Sequence, residues 1–156
     1  MIRFATGLFF SLLLINGLLS SCTKVDTTKV TNAINNVASS SLTANISSAS
    51  WSADAASGVS KAGVILISGA QTNGTSLQIT MPATITPGSY AFGVGTAYNL
   101  AYSKNQATNY VAGSGSLVIS SFADSTIAGT FSGSMANPLV STDTLSVTSG
   151  KFSVKL

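Results

Sequence analysis

Between Thr126 and Met135 the chain alternates without a break. Ile127, Gly129, Phe131, Gly133 and Met135 form one set; Thr126, Ala128, Thr130, Ser132 and Ser134 form the other. In a strand successive side chains point to opposite faces, so this run has one apolar face and one small or hydroxyl-bearing face. A helix would scatter both sets around its surface. The run therefore commits this part of the chain to a half-buried sheet.

The remainder of residues 42–156 repeats the pattern in shorter pieces. Leu77, Ile79 and Met81 alternate and stop at Pro82, which has no N–H for a ladder. Tyr98, Leu100 and Tyr102 share a face, and Tyr110 opens another strand. Val64-Ile65-Leu66-Ile67 is continuously apolar, the pattern of a strand buried on both sides. Leu145 and Val147 alternate, as do Phe152, Val154 and Leu156, with Ser149-Gly150 between them. Two alternating runs split by two turn residues read as a hairpin. Asn73-Gly74, Thr86-Pro87-Gly88, Lys104-Asn105-Gln106, Asp124-Ser125 and Asn137-Pro138 mark further turns. No amphipathic helical run of ten residues follows residue 41. The pattern predicts an all-β domain over 42–156, with eight or nine short antiparallel strands joined as a meander. A β-sandwich is the first expectation and a small closed barrel the second. A domain of this length buries about two-thirds of its unfolded surface.

A different rule governs the start of the chain. Arg3 is followed by a nearly all-apolar run from Phe4 to Leu19, then Ser20-Ser21-Cys22. Sixteen residues fall short of the roughly 20 that a spanning helix needs. They fit the apolar core of a secretory signal peptide ending in small residues. Leu19-Ser20-Ser21-Cys22 has the form of a bacterial lipobox, with cleavage between Ser21 and Cys22. The Cys22 thiol would take a diacylglycerol, and its freed amine a further acyl chain. Cys22 is the only cysteine, so no internal disulfide is available to an exported domain, and lipidation accounts for the odd thiol. More than one acyl chain gives a stable anchor. Residues 1–21 are thus expected to be a lipoprotein signal peptide. Residues 22–41, rich in Thr, Asn and Ser, would be the lipidated cysteine and a flexible polar tether. The expected location is the bacterial outer membrane, on its periplasmic face or at the cell surface.

Composition narrows the chemistry. There is no His, and the four acidic residues, Asp26, Asp54, Asp124 and Asp143, leave no Glu. A Ser-His-Asp site, a Cys-His pair and His-based metal sites are excluded. Hydrolysis by paired carboxylates would need two of the four Asp residues to meet, with Asp124 and Asp143, which flank the Thr126–Met135 strand and its following loop, as the candidates. Isolated Asp residues in turns are ordinary turn caps rather than calcium ligands, so no metal, cofactor or catalytic residue is assigned. The high isoelectric point reflects scarce carboxylates, and the lysines are dispersed; no basic stripe offers itself to nucleic acid. The candidate ligand-contacting residues are Tyr98, Tyr102 and Tyr110, whose rings could form a platform for a sugar or a peptide.

The chain resembles small lipoproteins of Bacteroidota. The features that carry the resemblance are the lipobox, the Ser/Thr/Asn tether, Trp51-Ser52-Ala53, the strand Ile127-Ala128-Gly129-Thr130-Phe131-Ser132-Gly133 and the closing Gly150-Lys151-Phe152 segment, expected to be a hairpin. The resemblance implies an envelope setting and no mechanism. It also implies O-glycosylation at Thr27, Ser125 and Thr144, each of which follows an Asp. The functional expectation is a non-catalytic, membrane-anchored module that binds or presents a glycan or protein partner. An assembly lipoprotein pairing through a sheet edge comes second, and a glycan-directed enzyme last.

Overall fold

The computed structural model describes residues 40–105 and 108–156. The expected signal peptide, Cys22 and nearly all of the expected tether lie outside the described residues. Ten strands and no helix occur among the described residues. They are β1 (Ser41–Ile46), β2 (Ala49–Ser52), β3 (Ala55–Lys61), β4 (Val64–Ala70), β5 (Ser76–Pro82), β6 (Gly88–Gly93), β7 (Asn99–Lys104), β8 (Thr108–Ala123), β9 (Thr126–Asn137) and β10 (Val140–Lys155). All their pairings are antiparallel. The fold is all-β, as the alternation predicts.

The strands belong to one sheet in the order β2-β1-β10-β9-β8-β7-β5-β4-β3, with β6 also on β8. The two ends of this path are consecutive in the chain. Only Ala53 and Asp54 separate β2 from β3. The Ala53 N–H donates to the Leu42 carbonyl at 3.0 Å, and the Asp54 N–H donates to the Ala70 carbonyl at 2.9 Å. One bent strand therefore changes partner, from the β1 side to the β4 side, between adjacent residues. A second pair behaves alike: β6 lies along residues 114–119 of β8 and β7 along 108–111, both antiparallel to it. With each pair taken as one bent strand, the ten strands occupy eight positions in up-and-down order, and β10 returns to β1. The strands thus form one curled sheet, a half-barrel in which β2, β3 and β6 are each bonded to one neighbour only. Beside the end of β10, β3 packs by side chains: a Cβ added at Gly58 would lie 2.8 Å from Val154 and 2.6 Å from Leu156.

Inside the curl lies a single apolar core. Leu77, Ile79 and Met81 of β5 are fully buried, as are Ile65 and Ile67 of β4, and Ile127, Phe131 and Met135 of β9 are buried with them. Within β4, Val64 is exposed and Leu66 half-buried, which corrects the expectation that this run is buried on both faces. Its apolar outer residues, Val64 and Leu66, mimic two-sided burial in the sequence.

The Ser149-Gly150 pair is not a turn, so the expected closing hairpin is corrected too. Here β10 runs unbroken from Val140 to Lys155 and pairs with β9 on both sides of a register shift between Val147 and Gly150. Ser149 sits at φ 53°. An extra residue in one strand re-phases the alternation without ending the strand. That is how Val147 and then Gly150, Phe152 and Val154 all face the core. Turns and bulges use the same residue types, so sequence alone did not separate them.

Phenylalanine rings cross the sheet over glycines. Gly150 stands opposite Phe131 and Gly129 opposite Phe152, on neighbouring strands, while Gly115 stands opposite Phe92. A Cβ on Gly150 would lie 2.6 Å from three carbons of the Phe131 ring. The Phe131 and Phe152 rings are 6.3 Å apart and tilted by 38°, a favourable aromatic arrangement. Gly150→Ala is expected to destabilise the domain by about 1–3 kcal/mol through overpacking, as read by urea unfolding. Combining it with Phe131→Leu should cost less than the sum of the two single changes. Gly113→Ala, where nothing lies within 4 Å, should be nearly neutral; an equal cost at both glycines would refute the steric account.

Candidate functional site

The strands leave an open cleft of about 480 Å³ at one pole of the sheet, within the size range of small-ligand sites. Its walls come from the end of β1 and start of β2 (Ile46 to Trp51), the β4–β5 turn, the end of β7, Tyr110 of β8, and Asp143 to Leu145 of β10. Short turns bring these distant segments together. Tyr102 and Tyr110 pair across the β7–β8 hairpin, and their ring centroids are 6.2 Å apart.

Two hydrogen-bonded groups line the cleft. On one side the Trp51 indole N–H donates to Thr75 Oγ1 at 2.9 Å. The Thr75 hydroxyl has two acceptors within reach, Gln71 Oε1 at 2.9 Å and Asn73 Oδ1 at 3.0 Å, for its one proton. Gln71 donates onward to the Ser52 carbonyl at 2.9 Å, and Asn73 Nδ2 donates to Gln71 Oε1 at 3.0 Å. The Asp54 carboxylate accepts from the Thr72 amide at 2.7 Å. Trp51 is thereby held to a pinned turn. On the other side the Tyr110 hydroxyl donates to Asp143 Oδ2 at 2.9 Å, and the same oxygen accepts from Asn137 Nδ2 at 3.3 Å. The other carboxylate oxygen has no protein partner among the described residues. Lys104 stands exposed at the rim.

Of the three tyrosines proposed as a platform, the structure brings together Tyr102 and Tyr110. The two residues are only 7% and 6% exposed, so little ring surface is open to the cleft that they line. Tyr98 is elsewhere, against Tyr90, with centroids 4.7 Å apart. Thr144 is exposed and borders the cleft. Ser125 is exposed in the β8–β9 turn at φ 60°. Ser21, Cys22 and Thr27 lie outside the described residues. Asp124 and Asp143 sit beyond opposite ends of β9, a strand whose length places them roughly 35 Å apart, so they form no carboxylate pair. Among the described residues no group of three or more acidic, His or Cys residues could hold a metal ion.

Sequence reasoning missed Trp51, Gln71, Asn73, Thr75, Lys104 and Asp143 as cleft residues. One signal was available for the tyrosines: Tyr102 and Tyr110 are equidistant from residue 106, inside the expected turn, so a tight hairpin pairs them. Asp143 and Thr75 meet their partners through strands far away in sequence, and no local pattern announces that.

The arrangement is one of hydrogen-bond donors and acceptors rather than of an acid and a base poised near neutrality. The bond to Asp143 pushes the Tyr110 phenol above its ordinary value, with burial and the charges of Asp143 and Tyr102 adding to it. Burial raises the Tyr102 phenol against a smaller opposing pull from Thr75. Both phenols are neutral at physiological pH. A folded-state value above the unfolded one gives stability that is complete below pH about 10 and is lost as pH rises through the folded-state value. Asp143→Asn should bring the Tyr110 titration back toward the ordinary tyrosine range, as followed by ultraviolet difference absorbance. An unchanged titration would show that the carboxylate does not control this phenol.

A family model matches residues 38–154, three-quarters of the chain and all but the end of the strand circuit. No curated protein and no solved structure matches the chain. The chain belongs to the DUF6252 family, described as a domain of unknown function.

Proposed function

We propose that the protein is a non-catalytic, lipid-anchored binding module of the bacterial outer membrane, and that the polar cleft is where it takes its ligand. The observation that carries this reading is the position of the cleft relative to the start of the sheet. Ser41 pairs with Ser153. The Ser40 hydroxyl accepts from the Lys155 amide at 3.3 Å, and the Leu156 amide donates to the Ser125 carbonyl at 2.7 Å. The cleft gathers the other ends of these strands, at Ile46 and Asp143 to Leu145. A chain tethered through Cys22 would thus hold its cleft away from the lipid surface. The 18 residues from 23 to 40, as a flexible tether, would have an end-to-end distance of roughly 25 Å.

Several features favour binding over catalysis. The sequence offers no His or Glu, and the two Asp residues flanking β9 stand far apart. Strands β2, β3 and β6 are each bonded to one neighbour only, so an edge is available to an envelope partner and the assembly reading stands second. Thr144 and Ser125 are exposed, as O-glycosylation would require. An intact mass from native cells that shows only acyl chains would remove that modification, including any at Thr27.

The anchor is tested by fractionation. Cys22→Ser should move the protein from the membrane pellet to the soluble envelope fraction, or leave an unprocessed precursor that keeps residues 1–21 by mass. A mature Cys22→Ser protein that still sediments with membranes would overturn lipid anchoring. Protease shaving of intact cells, with periplasmic controls, then assigns the face of the membrane.

A further inference from the structure

We infer that the cleft binds a neutral carbohydrate, held by hydrogen bonds from groups fixed before the ligand arrives. This rests on the binding-module reading and adds the class of ligand. Charge is the first argument. The cleft carries one carboxylate, Asp143, and one ammonium, Lys104, and makes no ion pair between them among the described residues. The site is balanced in charge and selects for neither sign.

Hydrogen-bonding character is the second argument. Besides those two charges, the polar residues of the lining carry hydroxyls, amides and one indole N–H, among them Tyr102, Asn73, Thr144 and Trp51. Hydroxyls and amides both give and accept hydrogen bonds, which matches sugar hydroxyls, each donor and acceptor at once. Asp143 is half-buried, and its second carboxylate oxygen can accept from a ligand hydroxyl, a strong charge-assisted bond.

Preorganisation is the third. Asp143 is oriented by Tyr110 and Asn137, and the Gln71–Thr75 turn is cross-linked by its own side chains and tied to Trp51. Groups already fixed lose little entropy on binding. With little of either tyrosine ring open to the cleft, contact is through hydrogen bonds rather than through stacking on an open ring.

Trp51 is the only tryptophan and lines the cleft, so its fluorescence reports occupancy directly. The test uses the full lipidated chain in a sugar-free detergent. Neutral oligosaccharides of glucose, mannose, galactose and N-acetylglucosamine are titrated alongside the zwitterion glycylglycine. The expected result is a saturable change in Trp51 emission with at least one of the neutral sugars. Asp143→Ala and Tyr102→Phe should each weaken it tenfold or more, and Lys61→Ala, at the opposite pole, should not. Saturation by glycylglycine alone, with the same sensitivity to the two variants, would overturn the carbohydrate assignment and leave the binding module standing. No response to any probe, from a chain that still unfolds cooperatively in urea, would overturn both.

Discussion

The structure depends on a change of partner between two adjacent residues. An open ten-stranded sheet would expose two rows of backbone N–H and C=O groups, each needing a partner. Here the Ala53 amide bonds back to β1 and the Asp54 amide to β4, so the ends of the strand path meet within one bent strand. The sheet is forced to curl, and curling makes one enclosed core instead of a two-layered one. It also gathers strand ends into two poles. One of these is the cleft, and the other is where residues 40 and 156 lie together.

Tight curvature needs space on the inner face. The cross-strand pairs of Phe131 with Gly150, Phe152 with Gly129 and Phe92 with Gly115 supply it. A ring laid over a glycine fills the core while letting the backbones stay close. The bulge at Ser149 keeps Gly150, Phe152 and Val154 inward after the phase change. On the outside, hydroxyls replace charges: Thr130, Ser146, Thr148 and Ser116 point outward. The exposed faces therefore offer hydroxyl donors and acceptors to water, and the same chemistry continues into the cleft.

Much of this is written locally in the sequence. The alternation of Ile127, Phe131 and Met135, the stop at Pro82 and the Asn73-Gly74 turn all have local physical causes, and the structure follows them. The segment Ala55–Lys61 was not legible as a strand because its residues are small and only Ala56 is buried; the neighbouring β4 ladder makes it one. Ser149-Gly150 was misread because a phase change in the alternation is compatible with a turn or a bulge. The cleft was legible only as two tyrosines about a short turn. Trp51 meets Thr75 across 24 residues and Tyr110 meets Asp143 across 33, contacts created by closure of the circuit.

The cleft, the core and the polarity of the domain therefore share one origin, and the most direct test addresses it. Amide hydrogen exchange should be measured at Ala53 and Asp54. The account predicts that both exchange as slowly as the Ile67 and Ile79 amides in the centre of the sheet, because each is a ladder donor at the point of closure. If both exchange as fast as Val94 and Gly95 in the β6–β7 loop, the bent strand does not join the two sides of the sheet, and the cleft built on that closure does not exist in solution.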